Sequence, residues 1–157
     1  MRGGRVAFLG AAAAAGGYTE CARVYMNADQ TITNALITTL FFSSERFDTD
    51  NIFDAAISDN CLTCKTAGKY QITGQVRWAL NTTGRRFMGI KLNGTTEIAD
   101  FEMTKDADGR CNAQLTTLWN MAVNDYVTLT VYQTSGGDLA VTYSTSYSPE
   151  FMMARVG

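Results

Sequence analysis

The sequence has no histidine, a single proline (Pro149), and charge on only 18% of its 157 residues. Without histidine it lacks the commonest general base near neutral pH and the commonest zinc ligand, which weakens the case for catalysis or a metal site. The formal net charge is −2, so the basic face that nucleic acid requires is missing. No apolar run is long enough to cross a bilayer, and no cofactor is expected. Scarce proline beside many Thr, Val, Tyr and Phe is a composition for strands. The length suits one domain with a sizeable core.

The four cysteines, Cys21, Cys61, Cys64 and Cys111, match no small disulfide framework by spacing. Whether Cys21 pairs with Cys111 stays open. Cys61 and Cys64 have CxxC spacing, but no second such pair or nearby histidine completes a metal set. On an extended chain, residues three apart face opposite sides, so these two are read as strand-borne thiols with one buried.

The clearest pattern runs from Thr66 to Phe101. Tyr70, Ile72, Val76, Trp78 and Leu80 share one parity and Gln71, Thr73, Gln75, Arg77 and Asn81 the other, which predicts a half-buried strand. Gly74 falls on the apolar parity, where it marks a bend or a close approach by another strand. After a turn at 81–84 a second strand runs Arg86 to Leu92. Asn93-Gly94 is a hairpin signal, and Thr95 to Phe101 completes a predicted three-stranded meander.

Around it, strands are expected at Ala22–Met26, Asn34–Phe42, Ile52–Phe53, Cys61–Thr63, Cys111–Val123, Tyr126–Gln133, Leu139–Tyr143 and Glu150–Val156. Ser43–Asp50 reads as a polar loop. Asp106-Ala107-Asp108-Gly109 looks like the front of a calcium loop but lacks the later ligands, so a turn with Gly109 at positive φ is preferred. Frequent strands with turns between them, and no amphipathic helix, predict an all-β antiparallel sandwich or jelly roll over 21–157. Residues 1–20 form a separate alanine-rich segment. Arg2 and Arg5 ahead of its apolar stretch resemble a short secretory signal. Bracketed by glycine pairs, it is read as an arm or short helix that orders only on a partner. Arg5, Val6, Phe8 and Leu9 are its anchoring residues.

Several segments together resemble the complement globular-head and tumour-necrosis-factor-like jelly rolls. Leu62 to Tyr70 is similar to their turn-and-strand signature, Ile90 to Gly94 to their central hairpin, and Met121 to Leu129 to their Leu-x-x-Gly-Asp-x-Val-x-Leu pair. Glu150 to Val156 resembles the last strand. Asn124 stands where that family usually has Gly, and tolerates the same left-handed turn. The resemblance implies about ten strands and a homotrimer. No collagen-like stretch precedes the head in this sequence, and such stalkless versions resemble bacteriophage structural proteins.

Aromatic and apolar residues on outward parities point the same way, since such stripes mark contact surfaces. Leu36, Leu40, Phe42, Phe87, Tyr126 and Tyr132 are the expected trimer or lattice contacts. The first functional expectation is therefore a non-enzymatic virion protein, a capsid decoration, head fibre or tail component, assembled in the host cytoplasm. Its arm would bind other virion structural proteins. The alternative is an extracellular recognition head that binds host-surface glycan or protein through Ser43–Asp50 and Lys105–Arg110. A glycosidase pairing of Asp48 and Asp50 with Asp106 and Asp108 is the remaining expectation, and the weakest.

Overall fold

The computed structural model describes residues 17–157, so the arm residues Arg5, Val6, Phe8 and Leu9 lie outside the described residues. The described residues contain no helix and twelve strands: β1 (Cys21–Tyr25), β2 (Gln30–Ile32), β3 (Thr38–Thr39), β4 (Ser44–Asp48), β5 (Cys61–Thr63), β6 (Gly68–Trp78), β7 (Arg86–Leu92), β8 (Thr96–Met103), β9 (Cys111–Met121), β10 (Tyr126–Gln133), β11 (Leu139–Val141) and β12 (Glu150–Arg155). They form two antiparallel sheets, one of seven strands and one of five, stacked as a jelly-roll sandwich.

In the larger sheet β6 is the spine. β9 pairs with its whole length, from Gly68↔Met121 to Trp78↔Cys111. Its other side is shared by β12, which leads on to β1 and β4, and by β11, which leads to β2. The smaller sheet centres on β10, flanked by β7 and then β8 on one side and by the short β3 and β5 on the other. Between the sheets lie Tyr70, Ile72, Val76, Trp78, Phe151 and Met153 from one side and Met88, Ile90, Val127, Leu129 and Val131 from the other. Phe42 stacks on Phe151 with ring centroids 5.8 Å apart. Alternating apolar residues turned to one face drive this closure.

Gly74 is a close approach rather than a bend. A Cβ there would sit 2.5 Å from Leu129 Cδ1, across the sandwich. The Asn93-Gly94 hairpin has both residues at positive φ, 50° and 72°, and Thr95 N donates to Leu92 O. Cys64 is buried and Cys61 half-buried, as expected for one buried thiol, although Cys64 lies one residue past the end of β5. Gly109 has φ +81° in the turn before β9.

Several expectations are corrected. The meander is not one sheet: β7 and β8 form the predicted hairpin, but β6 belongs to the other sheet. Alternation identifies a half-buried strand without naming its neighbour, and the segment 79–85 is a crossover rather than a hairpin turn. Leu80 lies past the end of β6 and is exposed. Asn34–Phe42 is mostly not strand. Ala35 turns the chain at φ 58°, only Thr38–Thr39 pairs, and Leu40 and Phe42 are 0% and 1% exposed in the subunit's own core. Neither has surface left for a neighbouring subunit. Finally, Ser43–Asp50 is largely the edge strand β4, Ile52 and Phe53 are buried without forming a strand, and β2 was not anticipated.

Candidate recognition cleft

A cleft of about 370 Å³ lies on the outer face of the larger sheet, built from β1, β4, β6 and β12 and overhung by the segment 143–148. Strand alternation sends Arg23 and Tyr25 outward from β1, because Ala22 and Val24 point into the core. Between β1 and β4 the register passes from Arg23↔Phe47 to Val24↔Glu45, skipping Arg46. That bulge re-aims the Arg46 side chain over the sheet. Its guanidinium stacks 4.1 Å above the Tyr25 ring.

Glu150 is the floor. Its side chain is 5% exposed and accepts from both arginines: Arg23 Nε bonds Oε2, while Arg46 Nη2 and Nε bond Oε1 at 3.1 and 3.3 Å. Ser148 Oγ adds a third donor at 2.9 Å and itself accepts from Arg46 Nη2 at 3.1 Å. Burial pushes the Glu150 carboxyl up, but the hydrogen bonds from Ser148, Arg23 and Arg46 outweigh it and hold the group below the ordinary carboxylate range.

The overhang is a tight turn. Ser144 and Tyr147 exchange backbone hydrogen bonds of 2.7 and 3.1 Å across Thr145-Ser146. Tyr143 N donates to Asp29 Oδ1 at 2.7 Å, and Gln75 Nε2 donates to Ser148 O at 3.3 Å. Pro149 then leads directly into β12, and its carbonyl accepts from Met26 N at 3.0 Å. On the far side of Tyr147 lies a second hollow of about 260 Å³, walled by Arg77, Trp78, Leu80 and Thr142. Arg77 sits 5.8 Å from the Tyr147 ring centroid and, among the described residues, makes no ion pair.

A carboxylate locked by two guanidiniums is held ionised with its oxygens engaged, which makes Glu150 a poor general base. The depressed Glu150 group supplies stability that is fully present above the unfolded carboxyl value of 4.5 and is lost as pH falls through the lower folded value. Thermal unfolding from neutral to strongly acid pH should show this loss, and Glu150→Gln should flatten that part of the profile. At neutral pH the same variant is expected to cost about 1–2 kcal/mol, reduced because both guanidiniums are partly solvent-screened. An unchanged acid limb in Glu150→Gln would assign the loss to other carboxyls.

The sequence-predicted residues fall elsewhere. Phe87 and Tyr132 are direct cross-strand partners, half-buried on the outer face of the smaller sheet. Tyr126 is half-buried in the same strand as Tyr132, and Leu36 is exposed on a turn. The four aspartates do not assemble. Asp48 is occupied by the backbone N–H groups of Asp50, Ile52 and Phe53 at 3.1, 3.0 and 2.8 Å, on the β4 edge. Asp106 accepts from Arg110 N at 2.7 Å in the turn before β9.

Arg23, Arg46, Gln75, Tyr147 and Glu150 were not anticipated, because strand register rather than sequence spacing brings them together. The one local signal was the segment Tyr143-Ser144-Thr145-Ser146-Tyr147-Ser148-Pro149, rich in hydroxyls and tyrosine just before a proline.

No family model and no curated protein matches this chain. Among solved structures it is similar to the globular domain of zebrafish complement 1qA protein, at 14% identity and a TM-score of 0.56, over 88% of this chain and 98% of that one. It is also similar to murine APRIL, at 8% identity and a TM-score of 0.61, over 87% of this chain and 100% of that one. At such identities the likeness concerns the fold. The chain has the jelly roll of the complement-head and tumour-necrosis-factor-like type, as the resemblance in its sequence implied.

Proposed function

We propose that this chain is a non-catalytic homotrimeric head of a virion, a capsid decoration, head fibre or tail component that binds neighbouring virion subunits. The observation that carries it is the outer face of the larger sheet beside the cleft, which it meets at Arg23. Register aligns Leu118, Gln71, Ala154 and Cys21 in one row and Thr116, Thr73, Met152, Arg23 and Phe47 in the next. These two rows hold no carboxylate, and their one guanidinium is already engaged by Glu150. Leu118, 59% exposed, stands at the β9 end of its row on an otherwise weakly polar surface. Depletion of charge around exposed apolar groups is the mark of an interface core, on the ordinary scale of about 1,600 Å². The smaller sheet is less suited, since Glu97, Asp100 and Glu102 share the face of Phe87.

All four cysteines are free thiols. That fits folding in a reducing compartment such as the host cytoplasm better than passage through a secretory route. The alternative, an extracellular glycan- or protein-recognition head, is favoured by the cleft. The two surfaces adjoin: the row containing Glu150 lies about 13 Å along the strands from the row of Leu118, and Arg23 stands in the row between them.

Native mass measurement tests the assembly. The expected mass is three times the 17.1 kDa of the chain. Leu118→Glu should yield monomer, while Tyr132→Glu and a chain beginning at Thr19 should stay trimeric. The shortened chain alone should lose its virion partner. A monodisperse monomer from the unaltered chain overturns the proposal.

A further inference from the structure

We propose that the cleft beneath the Tyr143–Ser148 turn, together with the hollow beyond Tyr147, binds one carboxylated, N-acylated sugar residue. This rests on the recognition reading above and names its ligand class. Charge is the first argument. Two guanidiniums, those of Arg23 and Arg46, bracket Glu150, and a third, that of Arg77, lines the adjoining hollow, within a chain whose formal charge is −2. The excess positive charge is therefore a local arrangement rather than a property of the whole surface.

Donor inventory is the second. Glu150 engages only Nε of Arg23, so both terminal nitrogens of that guanidinium remain for a ligand. Nη1 of Arg46 is likewise unused, and Arg77 makes no ion pair among the described residues. Planar forks of this kind suit a ligand carboxylate. Glu150 meanwhile holds two of them in place, so little freedom is lost on binding.

The surroundings separate a sugar from a bare anion. Ser144, Thr145, Ser146 and the Gln75 amide offer hydroxyl-matched donors and acceptors along one wall. Burial pushes the Tyr147 phenol up to about 12, so it remains a donor between the two hollows. Leu80, 63% exposed, lines the second hollow, giving an acyl methyl group an apolar seat beside the cationic one. Both hollows are on the scale of a small ligand.

Saturation-transfer NMR on the full chain tests this, with the methyl glycoside of N-acetylneuraminic acid as probe and N-acetylglucosamine as its neutral counterpart. Saturable binding near the millimolar range is expected for the acidic sugar alone. Arg77→Gln, an exposed and fold-neutral change, should weaken it about tenfold, and Arg23→Gln at least as much. Lys69→Gln, outside the cleft, should leave it unchanged. Absence of binding by the native chain, equal binding of the neutral sugar, displacement by equimolar inorganic phosphate, or unaltered binding in Arg77→Gln would each overturn the inference. Mass measured on the same sample keeps the two proposals apart: a trimer indifferent to the sugar sinks this one alone, and a monomer that binds it sinks only the assembly.

Discussion

Replacing Gly84 with alanine is expected to lower folding stability by about 3–5 kcal/mol. Two costs coincide at this position. Its φ is +71°, a region that alanine enters only with strain. A Cβ there would also fall 1.7 Å from the carbonyl oxygen of Thr134 and 2.8 Å from its hydroxyl. That neighbour cannot yield easily, because it is backbone held by reciprocal bonds: Thr134 N donates to Arg85 O at 3.1 Å and Arg85 N donates to Thr134 Oγ1 at 2.9 Å. Gly136 provides the control. Its φ is +92°, yet an added Cβ meets nothing within 4 Å, so Gly136→Ala should cost only the backbone strain, about 1–2 kcal/mol. Urea unfolding of both variants isolates the contact, and equal losses would show that it is relieved by movement of the crossover.

Arg86→Met is expected to cost about 3 kcal/mol. Arg86 is 1% exposed, lies 5.7 Å from the Trp78 ring, and has no carboxylate partner among the described residues. Burial lowers its pKa, though arginine remains charged at any ordinary pH. What compensates the desolvation is backbone. Nη1 donates to the carbonyls of Thr83 and Arg85, both at 2.9 Å, and Nη2 to that of Asn81 at 3.4 Å. Methionine fills similar space but abandons three acceptors that the crossover cannot all turn toward water. Lysine should recover less than half of the loss, since one ammonium cannot span three carbonyls set around a planar fork. Replacement of buried ion pairs by apolar groups can be neutral elsewhere because both partners leave together. Here the acceptors stay. If Arg86→Met matched the parent in denaturant midpoint, the carbonyls would have found other donors and this account would fail.

Much of the fold could be read from alternation alone. Tyr126 to Gln133 was delimited to the residue because it lies at the centre of its sheet, with both ends marked by turns. Asn93-Gly94 was read correctly, and one of the two alternatives left for Gly74 holds, because each carries a local steric requirement. Partnership was not legible. The same two-residue period fits β6 beside β7 or beside β9, and only the packing of Tyr70, Ile72 and Val76 against the opposite sheet decides. Leu40 and Phe42 misled for a related reason: a short irregular segment can turn apolar groups inward without pairing, so a two-faced apolar pattern did not imply a second subunit. The cleft was the least visible part. Its floor and two of its walls come from residues 23, 46, 75 and 150, and the skipped register that aims Arg46 leaves no trace in composition.

The strap from Ala79 to Arg85 ties one sheet to the other, and Leu80 within it also walls the hollow beside Tyr147. A change of ligand shape would therefore have to be accommodated by the same few residues that keep the halves of the molecule joined. Diversification of this protein should run freely through the Tyr143–Ser148 side of the opening and be held back on the Leu80 side, so that new specificities arise from one lip only.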